Sequence, residues 1–240
     1  MDFTNYQGYV DERERELEAS RSMPLLMRKV FTWMAMALVI TGVVAYGVAS
    51  SPGLMQTIFT GYTPLVLFVV EIGLVLFLTA RLHKMSLLSA TLCFIAFSVV
   101  NGLALSAIFL AYTFTSIAQT FFVCAGTFGA MAVLGYTTKR DLSKMGSILF
   151  MALIGLIIAG LVNMFLRSSM FELIISGVGV LIFTGITAWD VNTIKRELLL
   201  QPDTTSETVQ KIALIGALNL YLDFINLFLY LLRFLGNRND

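Results

Sequence analysis

The stretch Ile212–Leu232, which reads IALIGALNLYLDFINLFLYLL, decides the fold of this 240-residue chain. It is long enough to cross a bilayer as a helix, because about 20 predominantly apolar residues span the hydrocarbon core. Its polar side chains recur at intervals of four, three and four residues and so share one helical face: Asn219, Asp223, Asn226 and Tyr230. A charge at membrane depth costs about 2.5–3.5 kcal/mol even on lenient insertion scales. We therefore expect Asp223 to have a function.

The composition places the whole chain in a membrane. Hydrophobic residues make up 58% of it, charged residues 13%, and the mean hydropathy is +0.84. A soluble domain carries roughly a quarter charged residues, since it needs a wetted surface. The net charge of +1 leaves no basic face for nucleic acid, so the lipid bilayer is the expected partner.

Apolar runs separated by turn signals predict seven transmembrane helices. Helices are expected because only internally satisfied backbones are stable in lipid. A polar cytoplasmic arm (1–26), one seven-helix domain (27–236) and a short polar tail (237–240) complete the organisation. The predicted spans are Val30–Ala49, Leu65–Ala80, Leu87–Tyr112, Ile117–Tyr136, Ile148–Leu166, Leu173–Val191 and Ile212–Leu232.

The basic residues predict the orientation. Thirteen of the 16 lysines and arginines precede the first span or follow the second, fourth and sixth. Positive residues concentrate in cytoplasmic loops, so the N-terminus is expected in the cytoplasm. Seven spans would put the C-terminus outside, whereas a last segment that turned back would leave it inside.

A second acid, Asp190, ends the sixth apolar run. If Asp190 and Asp223 both face the bundle interior, they can share one proton and titrate as a unit. When ionised, their oxygens suit a hard cation such as calcium, with Asn219 or Asn226 as further ligands. The alternative is two unrelated acids, with Asp190 solvated at a helix end near Lys195.

Depth is an objection to the pair. Asp190 lies about 7–8 Å from Lys195 along its helix, and Asp223 about 18 Å from Lys211. The acids meet only if the sixth span runs further inward than Lys195, or if a water-filled cytoplasmic cavity reaches Asp223. We expect that cavity.

Two further charged residues belong to the second span. Glu71, near its middle, either lines the same path as Asn219 and Asn226 or is held by hydrogen bonds between helices. Arg81, at its cytoplasmic end, either pairs with Asp190 to close the route or extends to the headgroups. Both cysteines lie in apolar runs and indicate neither a disulfide nor a metal site, so no resident cofactor is expected.

Three stretches resemble the Bax inhibitor-1 (transmembrane Bax inhibitor motif) family in its bacterial branch. They are NLYLDFINLFLYLLRFLG at 219–236, GITAWDVNTIK at 185–195 and GYTTKRDLS at 135–143. The resemblance implies a bacterial inner-membrane protein whose last helix is central and surrounded by the other six. It also implies a pH-sensitive calcium leak gated by an aspartate pair, here Asp190 and Asp223, with Arg81 as the nearest candidate for a latch.

Two other classes of function compete with the channel. Bacterial relatives are also linked to regulation of a membrane-bound ATP-dependent protease, which predicts an interaction protein that uses the N-terminal arm. An aspartyl intramembrane protease also needs two membrane aspartates, but its Gly-x-Gly-Asp pattern is missing around Asp223, which follows Leu220-Tyr221-Leu222. A retinal protein would need a lysine in Ile212–Leu232, which has none. The chain is therefore not expected to be an enzyme.

Overall fold

The computed structural model describes residues 3–81, 84–201, 206–237 and 239, with side chains from residue 22 onward. The described residues form nine α-helices and no strand. The helices are α1 (Phe3–Ala49), α2 (Pro52–Phe59), α3 (Thr63–Arg81), α4 (Leu87–Leu105), α5 (Ile108–Ala111), α6 (Phe114–Thr137), α7 (Ser143–Leu166), α8 (Ser169–Leu199) and α9 (Glu207–Leu235).

Seven helical segments in the described part of the chain are long and apolar enough to cross a membrane, which confirms the predicted number. The third segment consists of α4 and α5 together, and α2 is a short helix between the first two. The first segment is Ser22–Ala49, but α1 begins at Phe3, so one helix continues from the polar arm into the membrane. The sixth segment ends at Leu199, eight residues beyond the predicted Val191.

Hydroxyl side chains start four of these helices. Ser86, Thr113, Ser168 and Ser206 each accept a hydrogen bond from the backbone N–H three residues later. This contact satisfies a donor that the first turn of a helix leaves unpaired. Arg167 ends α7 in the left-handed region, with φ of 51°, a common conformation for the end of a helix.

The last helix is the most buried of the seven spans. Two-thirds of its most apolar stretch is buried, whereas only 6% is buried in α3 and in α7. It packs mainly against α1, α4, α6 and α8, while α3 lies on α4 and α7 lies on α8. The centre of the bundle is therefore α9 with four close neighbours, and α3 and α7 form its lipid-facing outside.

A polar contact in the core fixes the position of α9. The hydroxyl of Tyr221, fully buried, lies 2.7 Å from Oγ1 of Thr41 on α1. Thr41 also donates to the carbonyl of Ser98 on α4, at 2.9 Å. The rings of Phe94 and Phe97 stand edge-on to the Tyr221 ring, each with centroids 5.9 Å apart. Three helices thus meet at one tyrosine, which satisfies its hydroxyl inside an apolar core.

Candidate functional site: an aspartate pair between the sixth and seventh spans

Asp223 lies inside the protein and does not face the lipid. Its residue is only 5% exposed, and its Oδ2 atom has no hydrogen-bond partner among the described residues. A buried polar atom without a partner is uncommon in native proteins and calls for an explanation. The neighbourhood of this carboxyl group therefore defines the candidate site.

Asp190 is the neighbour of Asp223. It projects from α8, is partly exposed, and brings its carboxyl group within hydrogen-bonding reach of the Asp223 carboxyl. Glu197, two turns further toward the cytoplasmic end of α8, is close enough to act on Asp190 electrostatically. The charged groups that act on the pair in the described structure are thus all acids. Such a site can hold a proton between two carboxyl groups or attract a cation.

The offset between α8 and α9 explains why the two acids meet. A Cβ atom at Gly216 would lie 3.0 Å from the Ile194 side chain, so Gly216 stands opposite Ile194. Lys211 is five residues before Gly216, whereas Lys195 is one residue after Ile194, so Lys211 lies about 6 Å further toward the cytoplasm than Lys195. The difference in depth between Asp190 and Asp223 was expected on the assumption that Lys195 and Lys211 lie at the same depth. Because they do not, most of that difference disappears.

Small residues let α8 and α9 approach closely enough for the pair to form. A Cβ atom at Gly179 would lie 2.6 Å from the Tyr230 ring, and that ring stacks on Phe183 with centroids 5.7 Å apart. Close approach at small residues is the usual way in which membrane helices pack. Tyr230, the fourth member of the predicted polar face, therefore serves packing on the outer side of the pair.

The two asparagines of that face have different surroundings. Asn219, one turn toward the cytoplasm from Asp223, is exposed. Asn226, nearly one turn toward the outside, is partly buried, and its side-chain amide donates to the Leu222 carbonyl of its own helix at 2.8 Å. Asn219 is thus exposed one turn to the cytoplasmic side of Asp223, and the water-filled approach expected from the sequence stays a prediction.

The end of α6 is bound to α8 beside the pair. Asn192 donates to the carbonyl of Gly135 at 3.2 Å, and Nζ of Lys195 donates to the carbonyls of Tyr136 at 2.7 Å and Thr138 at 3.1 Å. Lys195 therefore points toward α6 and leaves Asp190 without a cation. No spacing in the sequence predicts these contacts, although two of the family-like stretches, 135–143 and 185–195, contain all of the residues concerned.

The loop after α6 is bound to α8 as well. Asp141 forms an ion pair with Arg196 and accepts hydrogen bonds from the backbone and hydroxyl of Ser143 at 2.9 and 2.6 Å. The Arg196 guanidinium, followed by the Ser143 contacts, holds the pKa of the Asp141 carboxyl well below its usual range. Asp141 is thus ionised at physiological pH, so it does not change its charge there as a pH sensor would.

Glu71 and Arg81 lie apart from the pair. Asn101 on α4 donates to Oε1 of Glu71 at 2.6 Å, so Glu71 is held between helices, one of the two alternatives predicted for it. The Asn101 Oδ1 atom has no partner among the described residues. Arg81 is exposed at the end of α3 and forms no ion pair within the described part of the chain. A latch between Arg81 and Asp190 is therefore not formed in this arrangement.

Comparison with known proteins agrees with this architecture. The family model described as "Inhibitor of apoptosis-promoting Bax1" matches residues 23–240, which cover the seven spans except for Ser22, the first residue of the first span. The chain belongs to this family. It is also 46% identical over 215 residues to the inner membrane protein YbhL of Escherichia coli K12, covering 88% of this chain and 91% of that protein.

Further relatives of this Bax1 inhibitor family come from distant bacteria. An uncharacterised protein of Borreliella burgdorferi is 47% identical over 216 residues, covering 89% of this chain and 92% of its own length. Protein RP147 of Rickettsia prowazekii, also uncharacterised, is 45% identical over 215 residues, with 89% and 90% covered. The seven spans and the similarity to the inner membrane protein YbhL identify the chain as a multi-pass protein of the bacterial inner membrane.

Proposed function

We propose that this protein is a pH-sensitive calcium leak channel of the inner membrane, gated by protonation of the Asp190–Asp223 pair. The observation that carries the proposal is the contact of two carboxyl groups on neighbouring membrane helices, with no cation among the groups that act on them. Two adjacent carboxylates cannot both ionise cheaply at this depth. Gain or loss of one proton therefore changes the charge of the site.

The chemistry of the pair follows from its two states. When both carboxyl groups are ionised, their oxygens attract a hard cation, and Ca²⁺ accepts irregular sets of carboxylate, carbonyl and water oxygens. The two carboxylates do not complete a shell of six to eight oxygens, so water and backbone carbonyls would supply the rest. When acid protonates the pair, the oxygens lose their charge and the affinity for Ca²⁺ falls. The expected leak is therefore small in acid and larger in alkali.

Access to the pair is proposed from the cytoplasmic side. Asn219 is exposed and lies one turn inward from Asp223, while Glu197 adds a negative charge inward of Asp190. An exposed amide followed by carboxylates offers successive oxygens to an entering ion. In the proposed closed state Arg81 would pair with Asp190. Because Arg81 is exposed here, closure requires the inner end of α3 to move toward α8.

The experiment is a calcium flux assay in liposomes that enclose a calcium-sensitive dye, run at acidic and alkaline pH. The variants are Asp190→Asn and Asp223→Asn, and the matched control is Asp141→Asn, which removes a carboxylate from the loop between the fourth and fifth spans. We expect wild type and the control to leak more calcium in alkali. Each Asn variant at the pair should lose that dependence on pH. Unchanged leak and unchanged pH response in both pair variants would refute the gating role.

A second proposal assigns the N-terminal arm to regulation of a membrane-bound ATP-dependent protease. Its support is the continuity of α1, which begins at Phe3 and so extends 19 residues beyond the first span. At 1.5 Å per residue this projects about 28 Å from the membrane, long enough to contact a cytoplasmic domain. Deletion of residues 1–21 should abolish co-purification of the protease and leave calcium flux intact. Recovery of the protease with the truncated chain would contradict this role.

A further inference from the structure

An apolar cavity of about 240 Å³ opens on the side of the bundle between α1 and α6. Its floor is the central helix α9, through Phe224, Ile225 and Phe228. Its walls come from α1, α4, α5 and α6, and Thr41 is the one side chain with a polar atom among its lining residues. Thr41 already uses its hydroxyl on Tyr221 and Ser98, so the cavity offers no free polar group. This site is separate from the carboxyl pair.

The rim of the cavity faces the hydrocarbon of the bilayer. Phe122, which lines it from α6, is 73% exposed, and Phe114 at the start of α6 is 62% exposed. Both residues lie in a segment that spans the membrane. Exposed aromatic rings around an apolar recess at this depth meet acyl chains and not water.

A polar depression lies directly beyond the outer end of the cavity. Phe109 and Phe114 line both the cavity and the depression. Their rings form a cluster with the ring of Tyr46, whose centroid lies 6.3 Å from that of Phe109 and 6.2 Å from that of Phe114. Beyond these rings the lining becomes polar, with Ser50 after the end of α1, Thr113 before the start of α6 and Asn239 in the tail that follows α9. The site thus changes from wholly apolar to polar at the depth where a membrane changes from acyl chains to headgroups.

We propose that the cavity is a binding site for one phospholipid, with an acyl chain against α9 and the headgroup at the polar depression. The occupant follows from the match in polarity along the site. An ion or water would find no hydrogen-bonding partner in the apolar part, and a free alkane would leave the polar part unused. A bound chain would also rest on Phe224, the residue next to Asp223, and so lie against the helix that carries the pair.

The first test needs no variant. Wild-type protein is reconstituted in phosphatidylcholine vesicles containing a phosphatidylcholine with a diazirine at the end of one acyl chain, and labelled peptides are mapped after photolysis. We expect the label to concentrate on cavity residues such as Ile117 and Ile225. Label that is spread evenly over the lipid-facing surfaces of α3 and α7 would overturn the proposal, since the probe would then report only the lipid that surrounds any membrane protein.

A pair of glycine variants then tests whether the cavity itself holds the chain. A Cβ atom at Gly42, in the cavity wall, or at Gly155, on the outside of α7, would meet nothing within 4 Å, so both positions have room for a larger side chain. Gly42→Phe should fill the cavity and lower labelling of Ile225 by about tenfold. Gly155→Phe should leave it unchanged. Equal labelling of Ile225 in both variants would overturn the proposal.

A third arm distinguishes a phospholipid from other apolar ligands. Labelling is repeated with a diazirine fatty acid and with a diazirine alkane of the same length. Preferential labelling by the phosphatidylcholine probe supports the proposed occupant. Equal or stronger labelling by the alkane would overturn the role of the polar depression, and preferential labelling by the fatty acid would replace the phospholipid as occupant.

Discussion

Lys195 of α8 caps the end of α6, with its Nζ atom 2.7 Å from the carbonyl oxygen of Tyr136. A second hydrogen bond, of 3.1 Å, reaches the carbonyl of Thr138. The last carbonyls of a helix have no partner within the helix, and a cation there also interacts favourably with the helix dipole. This lysine therefore holds α6 against α8 beside the carboxyl pair and does not neutralise Asp190.

Substitution of this lysine should destabilise the junction between α6 and α8. Lys195→Met keeps the length of the side chain but removes two hydrogen bonds from a charged donor, each of a kind worth about 1.5–3 kcal/mol. We expect the free energy of unfolding in mixed micelles to fall by about 1–3 kcal/mol, since the freed carbonyls partly regain water. Lys211→Met is the control, because the contact it breaks among the described residues is an i,i+4 pair with the exposed Glu207, and such surface pairs contribute little to stability. Equal losses in the two variants would contradict the capping role.

The seven spans could be predicted because hydropathy is a local property of the chain. A run such as Ile212–Leu232 is recognisable from its own residues, and the number of spans is confirmed. The relative depth of Asp190 and Asp223 was not predictable in this way, since it depends on how α8 and α9 slide past each other. That offset is set where Gly216 meets Ile194, a contact between residues 22 positions apart.

Orientation of side chains around a helix was predicted only in part. The spacing placed Asn219, Asp223 and Asn226 on one face of α9, yet their surroundings differ. Asn219 is exposed, Asp223 is buried, and Asn226 donates a hydrogen bond to a carbonyl of its own helix. The difference arises from the neighbours, since Asp190 of α8 lies beside Asp223 whereas Asn219 stays exposed. The same holds for Lys195. Its positive charge predicted that it lies on the cytoplasmic side of the membrane, but not that it contacts α6.

The close contact of α6 and α8 predicts a large effect of one methyl group. A Cβ atom at Gly135 would overlap the backbone carbonyl of Ala188, which cannot move as a side chain can. Gly135→Ala should therefore lower the free energy of unfolding by about 1–3 kcal/mol. Gly129→Ala, on the same helix with nothing within 4 Å of the new Cβ, should be neutral or slightly stabilising. Destabilisation of the same size in both variants would argue against the close backbone contact.

Glu71 allows charge and hydrogen bonding to be separated. Glu71→Gln keeps an acceptor for the Asn101 amide, whereas Glu71→Leu removes it. The free energy of unfolding should stay within about 0.5 kcal/mol in the Gln variant and fall by about 1 kcal/mol in the Leu variant. If Glu71 also lines the ion path, the other alternative that the sequence leaves open, calcium leak in liposomes should fall in both variants. Wild-type leak in Glu71→Gln would restrict this residue to packing α3 against α4.

The ion pair between Asp141 and Arg196 predicts a pH dependence of stability outside the membrane. Arg196 holds the pKa of the Asp141 carboxyl well below its ordinary value of about 3.9, so the unfolded chain binds this proton more readily than the folded protein. The pair therefore stabilises the fold above about pH 4, and the contribution disappears as the pH falls through the folded pKa. Asp141→Asn keeps an acceptor for Ser143 and removes the charge.

Thermal unfolding of wild type and Asp141→Asn across acidic pH measures this contribution. The variant should have the lower Tm at neutral pH, and the difference should narrow below about pH 4. Because both side chains are largely exposed, added salt should also narrow the difference at neutral pH. The titration of Asp190 and Asp223 occurs in both proteins and cancels in the comparison. A difference in Tm that persists unchanged in acid and in high salt would contradict an origin in the ion pair.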